Sequence, residues 1–153
     1  MEITIGAIGK MRDGPEQDLV DKYLKRISWS VRVREVVNSG SRLAGTSYKS
    51  DNNQLVSMVP NNSKLLCLDS RGRNFTSEQF ADLLGSWRDD GQRNVTFLIG
   101  GADGLPKDVL DKAELTLSFG SATWPHLLCR VMLIEQLYRA HCIYQNHPYH
   151  KGH

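Results

Sequence analysis

The last third of this 153-residue sequence gathers the side chains with types and spacing suited to chemistry. Glu135 and Arg139 lie four positions apart, so on a helix they share one face and can pair. Tyr149 and His150 close the run Asn146-His147-Pro148-Tyr149-His150. A phenol and an imidazole so placed can stack on a flat ring, donate hydrogen bonds or assist a proton transfer. His126 follows Pro125 directly and either shapes the neighbouring loop or caps a helix start. Two turns of small residues precede it, Gly100-Gly101-Ala102-Asp103-Gly104 and Gly120-Ser121-Ala122-Thr123. Backbone without Cβ lets a ligand come close, so the two turns together suit a flat, polar-edged molecule held by main-chain groups.

Familiar ligand signatures are missing. Gly9-Lys10 is not a P-loop, because Thr4 and Met11 occupy the diagnostic positions. The dinucleotide fingerprint fails as well, with Ile99 standing where its first glycine belongs. A neutral-to-cationic cofactor fits better, and S-adenosyl-L-methionine is of that kind. His147-x-x-His150-x-x-His153 has the residue type of a zinc site, but Pro148 and Gly152 break any helix that would align the rings. No nearby cysteine or carboxylate completes a ligand set, so no metal is expected. Glu135 and Arg139 keep two readings: a structural ion pair bridging a subunit interface, or an arginine that offsets charge on a reacting base while Glu135 orients it.

These groups need strands and helices to hold them. Val95-Thr96-Phe97-Leu98-Ile99 reads as a strand buried on both faces, ending at the first glycine turn. Leu115 to Phe119 is a strand ending at the second, and a helix runs from about Pro125 to Tyr144, with Pro148 stopping it. Upstream, strands are expected at Ile3–Ile8, Val31–Val37 and Lys64–Leu68. Helices are expected at Pro15–Ile27, around Gln54–Val59, and after Thr76, where Thr76 and Gln79 fit a capping box. The stretch 38–53 lacks periodicity and reads as a long loop, and Ser70–Asn74 as a small basic loop. Strictly alternating strands and helices argue α/β, with a mainly parallel sheet flanked by helices. Ligands in such sheets bind at the C-terminal ends of the strands. In the final helix, Leu127, Leu128, Val131, Met132, Leu133, Ile134, Leu137, Tyr138, Ile143 and Tyr144 cover most of the circumference. That pattern asks for burial on every side, which a homodimer supplies.

The length suits one domain over 1–153, and 40% apolar with 24% charged residues is ordinary for a soluble protein. A net charge of +2 is too small to announce nucleic-acid binding by itself. Lys22, Lys25 and Arg26 read first as a solvated helix end. The three cysteines, Cys67, Cys129 and Cys142, fall in regular elements without a C-x-x-C and read as reduced thiols. No signal peptide or membrane span is evident, so a cytoplasmic location is expected.

The segments FLIGGADGL, SFGSATWPHLLCRVMLIEQLYRA and NHPYH resemble those of the RlmH family, SPOUT-superfamily methyltransferases of bacterial ribosomes. ITIGAIGKM, YLKRI and LCLDSRG are similar too, so the resemblance spans nearly the whole chain. It implies a SPOUT-type fold with a C-terminal trefoil knot, a feature that no periodicity predicts. It also implies S-adenosyl-L-methionine held by Leu68, Asp69, Gly100, Gly101, Gly104, Gly120, Ser121, Ala122, Thr123, Trp124 and Pro125. The implied reaction is methylation of N3 of a pseudouridine in 23S ribosomal RNA on the assembled ribosome. Tyr149, His150, Arg139 and Glu135 are then the catalytic candidates, with the tail of one subunit over the cofactor of the other. The sequence departs from the family at Ala102, where proline is usual, and at Trp124 and Leu127.

Overall fold

The computed structural model describes residues 1–37 and 44–151, and for 44–47 the backbone alone. Five strands form one sheet: β1 (Glu2–Ile8), β2 (Ser30–Val36), β3 (Ser63–Asn74), β4 (Asn94–Ile99) and β5 (Leu115–Ser118). Their order is β2-β1-β4-β3-β5, and every pairing is parallel. The helices are α1 (Pro15–Leu24), α2 (Ala44–Ser57), α3 (Ser77–Asp89), α4 (Lys107–Leu110) and α5 (His126–Tyr144), followed by a short 3-10 turn at Pro148–His150.

Parallel strands need crossovers, and the crossovers cover both sheet faces. Along β4, Val95, Phe97 and Ile99 join a core with α1, α3 and α5, while Leu98 joins the core beneath α2 and α4. On β3, Leu66 and Cys67 divide in the same way, as a two-residue side-chain period requires. Helix α3 starts at the expected capping box: Thr76 Oγ1 accepts from the Gln79 N–H at 3.2 Å, and Gln79 Oε1 accepts from the Thr76 N–H at 3.0 Å.

Several expectations are corrected. The expected loop over 38–53 and short helix at 54–59 are replaced, from Ala44 onward, by one helix to Ser57; residues 38–43 lie outside the described part. Its Ser- and Asn-rich sequence hides the helix, because Leu55 is fully buried there while most of its neighbours are polar. Strand β3 does not stop at Leu68. It bulges at 69–72 and then pairs again with β5, so that Leu117 faces both Leu68 and Arg73. Helix α5 ends at Tyr144, before Pro148; Asn146 turns the chain with φ 52°, and Pro148 opens the 3-10 turn.

Helix α5 is also not enclosed on all sides within the chain. It lies between α1 and α3, with Leu133, Ile134 and Leu137 fully buried. Leu128, Met132, Glu135, Gln136, Arg139 and Ile143 form an outward stripe that is exposed or half-buried, and Leu128 is 38% exposed. The stripe is thus mixed in character, which residue counting around the circumference does not reveal.

Candidate functional site

The bulge of β3 and the C-terminal ends of β4 and β5 open into a cleft of about 170 Å³. Two glycines shape its rim. Gly104 sits at φ +72°, a left-handed conformation that favours glycine. A Cβ on Gly100 would lie 2.7 Å from the Gly104 carbonyl oxygen, so the turn closes only without one. Across the cleft, Ser118 Oγ lies 3.2 Å from the Ser70 carbonyl oxygen and 2.8 Å from that of Gly120, whose N–H it accepts at 3.1 Å. One hydroxyl at the end of β5 therefore ties together the bulge of β3 and the second small-residue turn.

Leu68, Asp69, Gly100, Gly101, Gly104, Gly120, Ala122, Thr123 and Trp124 all line this cleft. Ser121 and Pro125 do not; both are exposed. Sequence reasoning missed Ser70 in the β3 bulge and Ile99, Leu117, Ser118 and Phe119, which lie at or just past the ends of β4 and β5. It also missed Cys129, one helical turn beyond His126 on the same face, a spacing that could have found it. His126 opens α5 without a capping bond and lines the cleft, so it shapes the pocket. Cys129 is half-buried, and burial pushes its thiol pKa up; Cys67 beneath is pushed up to about 12 by burial and then by Asp69. Neither thiol is a nucleophile at neutral pH.

The Asp69 carboxylate is held below the usual range by Arg71, which binds both oxygens. It remains an acceptor at any physiological pH. Behind the cleft, Arg130 is 1% exposed and donates to Glu35 at 2.6 Å and to the Gly9 carbonyl at 3.0 Å. Glu35 also accepts from the Met11 N–H at 2.8 Å. A Cβ on Gly9 would stand 3.3 Å from His126 Nε2, so this buried arginine braces the loop against which His126 rests.

Three of the four catalytic candidates meet. Arg139 Nη2 lies 2.6 Å from Glu135 Oε1, and the Tyr149 hydroxyl donates to that same oxygen at 3.0 Å. The guanidinium carbon sits 4.8 Å from the Tyr149 ring centre, while Tyr138 flanks the ring from 4.7 Å. Burial, then Tyr23 and Glu135, raises the Tyr149 pKa, so it stays a neutral phenol. Burial works against the charge on Arg139, but Glu135 outweighs it and the pKa rises. His150 turns elsewhere, its Nε2 2.7 Å from Glu78 at the start of α3. None of the four lines the cleft. On α5, Glu135 is nine residues from His126, about 13 Å along the axis at ~1.5 Å per residue.

Among the described residues, no group of three or more His, Cys, Asp or Glu converges on a metal position, and no helix is long and apolar enough to cross a membrane.

Comparison with known proteins gives concordant results. Residues 1–150 match the family model described as predicted SPOUT methyltransferase. A protein of Rhizorhabdus wittichii called ribosomal RNA large subunit methyltransferase H is 46% identical, covering 99% of each chain. One of the same name from Bradyrhizobium diazoefficiens is 42% identical, covering 99% of this chain and all of that one. The crystal structure of a probable methyltransferase from Bordetella pertussis Tohama I shares the fold, with a TM-score of 0.59 at 11% identity, covering 91% of this chain and 95% of that one.

Proposed function

The chain belongs to the SPOUT methyltransferase family, and from that premise we propose that it methylates N3 of a pseudouridine in 23S ribosomal RNA on the assembled ribosome, using S-adenosyl-L-methionine. The observation that carries the reading is the cleft at the strand ends, rimmed by two turns of small residues, in a chain 46% identical to a ribosomal RNA methyltransferase. When bound, S-adenosyl-L-methionine supplies an electrophilic methyl carbon on a sulfonium. The residues fit it. The Gly100–Gly104 turn closes tightly on itself beside the cleft, and main-chain groups of both turns can read an adenine edge. Asp69 offers an ionised acceptor for ribose hydroxyls.

The remaining chemistry is positioning, which suits an in-line displacement. Tyr149 presents a ring for stacking and a phenol held by Glu135, and Arg139 places a fixed positive charge beside it, where negative charge grows as N3 loses its proton. Because Tyr149 stays protonated, it serves as donor and platform; Glu135 and His150 are the better candidates to take the proton. The separation of this cluster from the cleft argues that the two belong to different subunits. If α5 packs against its two-fold mate in antiparallel fashion, crossing near Met132, Arg139 of one copy comes level with His126 of the other. The mixed outward stripe of α5, with Phe119 and Leu19 nearby, is the surface for that homodimer. The trefoil threading of the C-terminal part belongs to the same proposal, supported by the match to the SPOUT family model. A cytoplasmic location belongs to the same proposal, since the proposed substrate is the ribosome.

The test is incubation with ribosomes lacking the modification and methyl-labelled cofactor, followed by mapping of the labelled nucleotide. Label in one large-subunit pseudouridine is expected, with free ribosomal RNA labelled far less. No transfer to any ribosomal particle would overturn the reading.

A further inference from the structure

The bulge of β3 carries a feature that cofactor binding leaves unused. Residues 69–72 form the bulge, and its first two, Asp69 and Ser70, line the cleft, a placement in which bulges often re-aim side chains beside active sites. Gly72 lies flat against β5: a Cβ there would come 2.7 Å from the Thr116 carbonyl oxygen. Its two neighbours, Arg71 and Arg73, are both exposed. Arg71 side-chain exposure is 75%, against 11% for Asp69 beneath it. The Arg73 guanidinium carbon stands 4.7 Å from the Phe75 ring centre. Phe75 and Asn74 line a second hollow that shares Leu117, Ser118, Phe119 and Gly120 with the cleft. The two arginines therefore mark a ridge from the cleft mouth along the floor common to both hollows.

The arrangement of Arg71 has a physical logic. One edge of its fork, Nε and Nη2, grips both oxygens of Asp69 at 2.8 and 2.9 Å, and its main-chain N–H binds Asp69 Oδ1 at 2.9 Å. A guanidinium has five N–H donors, so three remain for another partner. Without this clamp a carboxylate would stand bare at the mouth of a cleft that must admit a polyanion. With it, the charge is offset and the other edge of a planar, oriented donor faces outward. Such a fork matches a phosphate bidentately. Arg73, steadied over Phe75, adds a second cation two residues on.

We propose that Arg71 and Arg73 are phosphate-contacting residues that seat the RNA backbone across the cleft mouth, with Asp69 orienting Arg71. The proposal rests on the RNA-methylation reading above. It explains how a chain of net charge only +2 engages RNA locally, through a pre-oriented pair instead of a broad basic face.

The test compares wild type with Arg71→Ala, Arg73→Ala, the double variant and Arg71→Lys. Binding to unmodified ribosomal particles is measured over a salt series, KM and kcat by methyl transfer, and cofactor affinity by calorimetric titration with S-adenosylhomocysteine. The double variant is expected to raise the particle Kd and KM by about tenfold or more, with the salt slope of log K falling by roughly 2, one per lost phosphate contact. kcat at saturation should fall less than KM rises. Arg71→Lys should recover most of the salt slope, since it keeps the charge, and only part of the affinity, since it lacks the fork. Unchanged particle binding in the double variant, or a loss confined to S-adenosylhomocysteine affinity, overturns the proposal while wild-type transfer persists. A wild type that neither binds nor methylates particles overturns the functional reading itself.

Discussion

At the residue scale, a few atoms around the cleft and the tail carry the proposed chemistry. Gly100→Ala should force the turn open against Gly104, because the new Cβ has nowhere to go. Calorimetric titration should show cofactor affinity falling at least about tenfold, the equivalent of ~1.4 kcal/mol, with the circular dichroism spectrum unchanged. Tyr149 separates two roles cleanly. Its hydroxyl is a protonated donor to Glu135, and its ring lies between Arg139 and Tyr138. If the ring is the working part, Tyr149→Phe should keep kcat within about fivefold while Tyr149→Ala loses roughly a hundredfold, about 2.7 kcal/mol of barrier. Equal losses in the two variants would assign the work to the hydroxyl. The Glu135–Arg139 pair was legible from its spacing and Tyr149 as a candidate through the family resemblance, but the contact of Tyr149 with that pair was not, since it depends on Asn146 turning the chain back along α5.

At the scale of elements, the capping box of α3 is a local signal and was read directly from the sequence. Thr76→Ala should lower unfolding free energy by about 1 kcal/mol in urea. Glu35 and Arg130 make a longer-range link between β2, the β1–α1 loop and α5. Glu35→Ala leaves a nearly fully buried guanidinium without its counter-charge, and a loss of about 3 kcal/mol is expected. His141 on α5 lies 2.7 Å from Ser28, just past α1, and packs edge-on against Trp29. Burial, then His147, lowers its pKa in the fold. The unfolded chain therefore binds the proton more readily. This contribution to stability is complete above the ordinary histidine pKa near ~6.5 and is lost as pH falls through the lower folded value. Thermal melts should drop over that window in wild type, and the drop should be shallower in His141→Gln. Strand and helix order was legible because the strands are short and rich in apolar and β-branched residues, as in Val95–Ile99 and Leu115–Ser118. The β3 bulge and α2 were not, because the bulge is fixed by the backbone of β5 and the helix by one buried leucine among polar neighbours.

At the scale of the whole molecule, the question is how the cleft and the proposed catalytic cluster around α5 would serve a single reaction. Residues of α5 at the cleft end, His126 and Cys129, and at the cluster end, Glu135 and Arg139, lie about two turns or more apart. The proposed two-fold pairing would bring them together and would cover the stripe that carries the exposed Leu128 and half-buried Met132. The apolar count on α5 pointed to a partner, although the stripe that would meet it is half polar. The direct test uses two variants, Gly100→Ala to disable the cleft and Tyr149→Ala to disable the tail, each nearly inactive alone on ribosomes. Unfolding them together and refolding should restore methylation to about one quarter of wild type, since half of the random dimers then carry one intact composite site of two. No recovery in refolded mixtures shown to contain heterodimers would contradict the account.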